Sequence, residues 1–185
     1  MIRVSTRTGS PLGRFAFLWA AVILICVPAF AVVYVDTDNT SGTENGTSWA
    51  TAFRTIQAGV NAAASGGGDV WVAEGTYVGT GATIVEMKQN VRVYGGFNGT
   101  ETSLGQRDWA TRKTIIDGQG ARRCVSFTGI SATLDGFTIR RGKSSNGGGV
   151  LAECSTPTIK NCTFEDNSAD NGGALDLFSS SGVTL

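Results

Sequence analysis

The sequence predicts an all-β chain: a right-handed single-stranded parallel β-helix solenoid with a short N-terminal capping helix. Three observations predict it. The C-terminal part of the chain repeats every 25 residues. Within each repeat, apolar and polar residues alternate over short runs, the period of strands rather than helices. Glycine makes up 26 of 185 residues against only three prolines, a share about twice the usual ~7%. That composition suits many short strands joined by tight turns.

The repeat appears when the sequence slides on itself by 25 residues. "LDGFTIRRGKSSNGGGV" (134–150) then falls on "IKNCTFEDNSADNGGAL" (159–175). Thr138 meets Thr163, Asn146 meets Asn171, and Gly147-Gly148 meets Gly172-Gly173. Val125, Val150 and Leu175 keep the same spacing, as do Phe127, Ala152 and Leu177. Leu134 and Ile159 continue to Leu185 if the serine-rich loop at Ser179–Ser181 holds one extra residue. A fixed period of this length means a solenoid.

Each period is expected to hold three strands. In one coil they are Cys124–Thr128, Ala132–Asp135 and Phe137–Arg140; in the next, Gly149–Glu153, Thr158–Lys160 and Cys162–Glu165. The remaining repeat residues then have turn or core roles. Phe164 belongs to a core column. Asn167 sits at the bend after its strand, where an Asx-type side chain satisfies turn amides. Gly147, Gly148, Gly172 and Gly173 let the backbone turn sharply, with φ > 0 expected at the Gly172-Gly173 pair. Ala174 starts the following strand, and Asn146 with Asn171 forms a short amide ladder.

Upstream, residues 32–68 read as an entry strand and capping helix, and 69–185 as the β-helix. Trp49, Phe53, Ile56, Val60 and Ala63 fall on one helical face. Thr47 or Ser48 would cap its start, and Gly66-Gly67-Gly68 ends it. The helix is expected to cover the open first coil, whose strand edges would otherwise be unpaired. "VWVAEGTYV" (70–78), "TIVEM" (83–87) and "VRVYGGF" (91–97) form that coil, and a longer loop with Arg107-Asp108-Trp109 leads to "TIIDG" (114–118).

Residues 1–31 read as a signal peptide. Arg3, Arg7 and Arg14 precede the apolar run Phe15–Ala31, which ends in Ala29-Phe30-Ala31, a small-x-small cleavage pattern. Export to the extracellular space or the outer cell surface is therefore expected. Removing three arginines from 15 basic residues leaves 12 against 15 acidic ones, a net charge of −3. Nothing in that balance favours nucleic acid. The chain has no histidine, so a His-based triad is excluded. Cys124, Cys154 and Cys162 remain after cleavage, an odd count whose pairing the spacing does not decide.

"FEDN" (164–167) and "GGAL" (172–175) resemble the polymorphic outer membrane protein repeat, with its Phe-x-x-Asn and Gly-Gly-Ala-(Ile/Leu) signature. The preceding coil departs from it, with "IRRG" (139–142) and "GGGV" (147–150). "YVDTDNTSGTENGTSWATAFRTIQAGVNAAASGGGDVWVAEGTYV" (34–78) and "VYGGFNGTETSLGQRDW" (93–109) resemble segments of the wider pectin-lyase-like β-helix superfamily. The first resemblance implies a non-catalytic structural or adhesive role at the cell surface. The second admits an alternative, a polysaccharide lyase or glycoside hydrolase, because one scaffold hosts many functions.

No catalytic residue is assigned. Arg122, Arg123, Arg140, Arg141 and Lys143 lie near Asp117, Asp135, Glu153, Glu165 and Asp166. A solvated face of paired charges is the expected reading. No cofactor is expected. "DTDNTSGTEN" (36–45) is oxygen-rich enough for calcium, but it lacks the glycine and terminal glutamate of an EF-hand loop, and it reads as a turn-rich lead-in. Trp109 and Tyr94 can stack on sugars or pack in columns. Asn39, Asn45, Asn98 and Asn161 head Asn-x-Ser/Thr triplets, expected by chance in so polar a chain. The expected partners are carbohydrate or another cell surface. The sequence stops in mid-coil at Leu185 without a polar cap. That predicts a longer protein or a truncated frame, with any membrane association lying in a missing C-terminal part.

Overall fold

The structure, a computed structural model, describes residues 32–181 and Thr184. The signal-peptide segment 1–31 and Leu185 lie outside the described residues. Fifteen strands and one α-helix follow in chain order. They are β1 (Val33–Val35), α1 (Ile56–Ala63), β2 (Asp69–Ala73), β3 (Gly75–Tyr77), β4 (Thr83–Glu86), β5 (Arg92–Phe97), β6 (Thr114–Asp117) and β7 (Arg123–Thr128). Then come β8 (Thr133–Asp135), β9 (Phe137–Arg140), β10 (Lys143–Asn146), β11 (Val150–Glu153), β12 (Thr158–Lys160), β13 (Thr163–Glu165), β14 (Ser168–Asn171) and β15 (Leu175–Phe178).

Every strand pairing is parallel, and consecutive strands go to different sheets. One sheet runs β1-β2-β5-β8-β12, a second β3-β6-β9-β13, and a third β4-β7-β11-β15. The chain thus visits three faces in rotation, an arrangement consistent with a parallel β-helix. The 25-residue register is present: Val150 pairs with Val125 and Leu175, Leu134 with Ile159, and Thr138 with Thr163. Thr158 bridges Thr184, so the last step is one residue longer.

The core follows from this register. Val70, Val93, Leu134 and Ile159 stack on the first face. Tyr77, Ile116, Ile139 and Phe164 stack on the second. Val85, Val125, Val150 and Leu175 stack on the third, beside Phe127, Ala152 and Leu177. Most of these side chains are fully buried, while Phe164 and Leu175 pack against the cluster from its partly exposed end. Each buried Val, Leu, Ile or Phe contributes about 1.5–3 kcal/mol.

A fourth strand per turn was not expected. β10 and β14 pair between the second and third faces in the last two coils. Their sequences, "KSSN" and "SADN", carry no apolar alternation, so hydrophobic patterning misses them. Parallel ladder hydrogen bonds hold them instead.

The helix also differs from expectation. It begins at Ile56, and Thr55 is its N-cap, accepting from the Ala58 amide at 3.3 Å. Neither Thr47 nor Ser48 caps it. Trp49 lies in a separate 3₁₀ turn, Trp49–Thr51, and Phe53 bridges Val35 as extended chain. The apolar spacing was real, but the Phe53–Val35 bridge competes with helix in the first half. Ile56, Gly59, Val60 and Ala63 are buried. A Cβ on Gly59 would collide with Val35 and Val70, so the helix lies directly on the first strands.

The corners carry a second register. Gly129, Cys154 and Ser179 follow one another every 25 residues, all with positive φ (66°, 49° and 49°). Gln119, Arg141 and Asp166 do the same at another corner (56°, 50° and 51°). A non-glycine residue in this left-handed region costs roughly 1 kcal/mol or more. Each is tolerated because the coils on either side fix the bend.

Turn side chains reach across coils. Asn167 Oδ1 accepts from the Gly142 amide at 2.8 Å, and its Nδ2 donates to the Ile139 carbonyl at 2.8 Å. Both partners belong to the preceding coil. Ser155 and Ser180 form a second ladder: Ser155 Oγ accepts from the Ile130 amide and Ser180 Oγ from the Ser155 amide, each at 3.2 Å.

Two stability outcomes follow. Asn167→Ala should lose about 1–3 kcal/mol, because two backbone groups of the coil below lose their partner; urea unfolding midpoints measure it. Exposed Cys154, at φ 49°, should gain up to about 1 kcal/mol on conversion to glycine and lose stability on conversion to valine.

Candidate functional site

The charges that the sequence grouped together are mostly one another's partners. Asp117 ends β6 with its carboxylate fully buried. Arg140 Nε donates to its Oδ2 at 2.9 Å and Arg141 Nε to its Oδ1 at 2.9 Å. The Gln119 amide donates at 2.9 Å as well. Arg141 reaches Asp117 because of its left-handed corner. Arg123 is spent on the Gly147 and Asn146 carbonyls and on Ser144 Oγ. Arg122 binds Gln119 Oε1 and the Gly81 carbonyl. Glu165 lies beside Arg140 in the ladder.

Burial pushes the Asp117 carboxyl up. Hydrogen bonds from Arg141, the Gln119 amide and Arg140, with the charge of Arg141, outweigh it and hold the group below its ordinary value.

The second ion pair, Arg107 with Asp135, was not foreseen. Arg107 Nη2 meets Asp135 Oδ2 at 2.8 Å, and both side chains are about nine-tenths buried. Arg107 Nη1 also reaches the Gly95 and Asp135 carbonyls. Its guanidinium lies over two rings, 5.1 Å from the Tyr94 centroid and 4.7 Å from that of Trp109. Asn161 Nδ2 donates to the other Asp135 oxygen at 2.7 Å. So Arg107 in the loop, Tyr94 on β5, Asp135 on β8 and Asn161 after β12 form one constellation. The only sequence signal was the length of the 98–113 segment, which spaces Val93 from Leu134 by 41 residues instead of 25.

That segment is tied down along its length. Glu101 accepts from the Asn98 and Thr100 amides, Gln106 Oε1 from those of Thr102 and Ser103, and Asp108 from those of Ala110 and Thr111. Trp49 Nε1 donates to the Glu101 carbonyl at 2.9 Å. The segment lies against β5 because Gly96, at φ 90°, leaves room for the Trp109 backbone; a Cβ there would come within 2.6 Å of the Trp109 nitrogen. Tyr34, Trp49, Trp71 and Phe97 fill the space beneath, Trp71 stacked on Phe97 at 4.8 Å.

Next to Trp109 is a groove of about 260 Å³, lined among others by Lys113, Thr138, Asn161, Cys162 and Thr163. Trp109 is 40% exposed, whereas Tyr94 is half-buried under Arg107. Burial pushes the Cys162 thiol up to about 11, so it is no thiolate nucleophile at neutral pH. The three cysteines are unpaired. Larger grooves, of about 440 and 480 Å³, flank the end and side of α1. Tyr77 is the one aromatic residue lining either, and its hydroxyl is already bonded to the Ala73 carbonyl and the Thr37 amide.

The other flagged residues have local partners. Asn171 Nδ2 donates to Asn146 Oδ1 at 3.1 Å. Gly147 and Gly172 have φ of 54° and 60°. Gly148 and Gly173 are not left-handed; both sit against the backbone of neighbouring segments, near Ser168 and Asn167 respectively. Ala174, just before β15, is exposed. In the 36–45 stretch, Asp36 and Asn39 accept from amides two residues on. Asn45 and Asn98 do the same, so three of the Asn-x-Ser/Thr triplets are Asx turns. Among the described residues, no three His, Cys, Asp or Glu side chains group to hold a metal ion. No helix there is long and apolar enough to cross a membrane.

A family model described as "Protein of unknown function (DUF1565)" matches residues 38–183. The chain belongs to that family. It is a family associated with parallel β-helix proteins. No curated protein and no solved structure matches the chain.

Asp117 sets an acid limit. Because its carboxyl is held below the ordinary range, its contribution is present above that range and is lost as pH falls through the depressed value. Asp117→Asn should be less stable than the parent at neutral pH, and the gap should narrow on acidification. Urea midpoints from neutral pH downward read this; a constant gap would place the acid sensitivity elsewhere.

Proposed function

We infer that this DUF1565 protein is a secreted or cell-surface β-helix with a non-catalytic structural or adhesive role. The single observation that carries the reading is the pairing of its outer charges. Asp117 is spent on Arg140 and Arg141, and Asp135 on Arg107 and Asn161. A lyase or hydrolase needs an acid or base free to exchange a proton with substrate. Here the buried carboxylates hold coils and a loop together. The Phe-x-x-Asn and Gly-Gly-Ala elements, Phe164 to Ala174, support the same reading through their likeness to surface repeats.

The solenoid is right-handed in this proposal, as crossovers between parallel strands nearly always are. Helix α1 caps its first coil, covering strand edges that would otherwise invite pairing. Export follows from the apolar segment before Ala31. The partner is a carbohydrate or another cell surface, met by the outer face of the coils.

The test is twofold. Intact producing cells are treated with protease, and the protein should be clipped if it stands at the surface. Purified protein is then incubated with polygalacturonate and calcium, with and without chelator. No unsaturated product and no new reducing ends are expected. Chelator-sensitive product would sink the non-catalytic reading and establish the alternative, a polysaccharide lyase or glycoside hydrolase.

A further inference from the structure

We propose that the groove beside Trp109 binds one pyranose ring of a glycan. This rests on the adhesive reading and locates it. The 98–113 segment is the long insertion among the described coils, and insertions in solenoids gather on one face, often the binding one. Here the insertion is pinned rather than loose. It brings Trp109 to a fixed place, its backbone against Gly96 and its Cβ against Gly136. Arg107 covers the indole at 4.7 Å and is itself locked by Asp135. A rigid aromatic ring offers flat apolar contact at low entropic cost. A pyranose ring presents a matching patch of C–H bonds edged with hydroxyls.

The groove supplies partners for those hydroxyls. Thr138 is only 8% exposed, lines the groove, and its hydroxyl has no hydrogen-bond partner among the described residues. Asn161 spends its Nδ2 on Asp135 and retains its side-chain carbonyl oxygen. Thr163 adds a hydroxyl one coil above Thr138. Lys113 is the one charged residue of the lining. The volume, about 260 Å³, falls just under the roughly 300–1,000 Å³ of drug-sized sites. It suits a single sugar ring rather than a nucleotide or a length of peptide.

The test uses the tryptophans as reporters. Indole N–H signals of the ¹⁵N-labelled protein are followed during separate titrations with cello-, manno-, chito- and galacturono-oligosaccharides. Trp49 already donates to Glu101, and Trp71 is buried. The Trp109 signal alone should therefore move saturably, with at least one of the four. By calorimetry, Trp109→Ala should weaken that binding about tenfold. Thr138→Val and Lys113→Ala leave the platform in place and should each weaken it measurably, with unchanged thermal melting. A still Trp109 signal in all four titrations overturns the proposal, as does unchanged affinity in both groove variants. Cell binding that survives both variants would fell the groove and spare the adhesive reading. Oligosaccharides shortened during titration would do the reverse.

Discussion

Each coil of this chain must turn a corner in the same place as the coil before it. Everything else depends on that constraint. A strand of three to six residues buries one or two apolar side chains, too few to hold a shape alone. Only when the corners align do those side chains join columns deep enough to exclude water. The corners are therefore where the sequence spends its unusual residues: left-handed Arg141, Cys154 and Asp166, glycines before β11 and β15, and side chains that bond to the neighbouring coil rather than their own.

The legible part of the fold was the part written in apolar spacing. Val125, Val150 and Leu175, or Leu134 and Ile159, can be aligned by eye because a core column demands a narrow class of side chain. β10 and β14 were invisible because a strand made of backbone ladder alone imposes no such demand. The helix start was misread for a related reason. Trp49 and Phe53 have helical spacing from Ile56, yet each is claimed by another contact, Trp49 by the aromatic cluster and Phe53 by the Val35 bridge.

The site was less legible than the fold. Trp109 and Tyr94 stood out as aromatics, but nothing local tied them to Asp135 or Asn161. Arg107 joins Asp135 across 28 residues and Asn161 joins it across 26, intervals set by how the insertion folds back over the coil. Asn167 was readable as a turn residue, though not which turn it serves. Its bonds go to Ile139 and Gly142 of the preceding coil. The equivalent position 25 residues earlier is Gly142 itself, so one coil offers the bare amide and the next brings the amide-binding side chain.

The outer column Asp117–Arg140–Glu165 alternates in sign along the axis. The coils are therefore not interchangeable beads. Excising 25 residues, from Phe137 through Asn161, would preserve every core column in kind, yet set the Asp117 carboxylate directly against that of Glu165, where like charges on neighbouring strands repel. Such a repeat can lengthen or shorten its chain without discord only two coils at a time, so that charge as well as hydrophobicity fixes the unit of its growth.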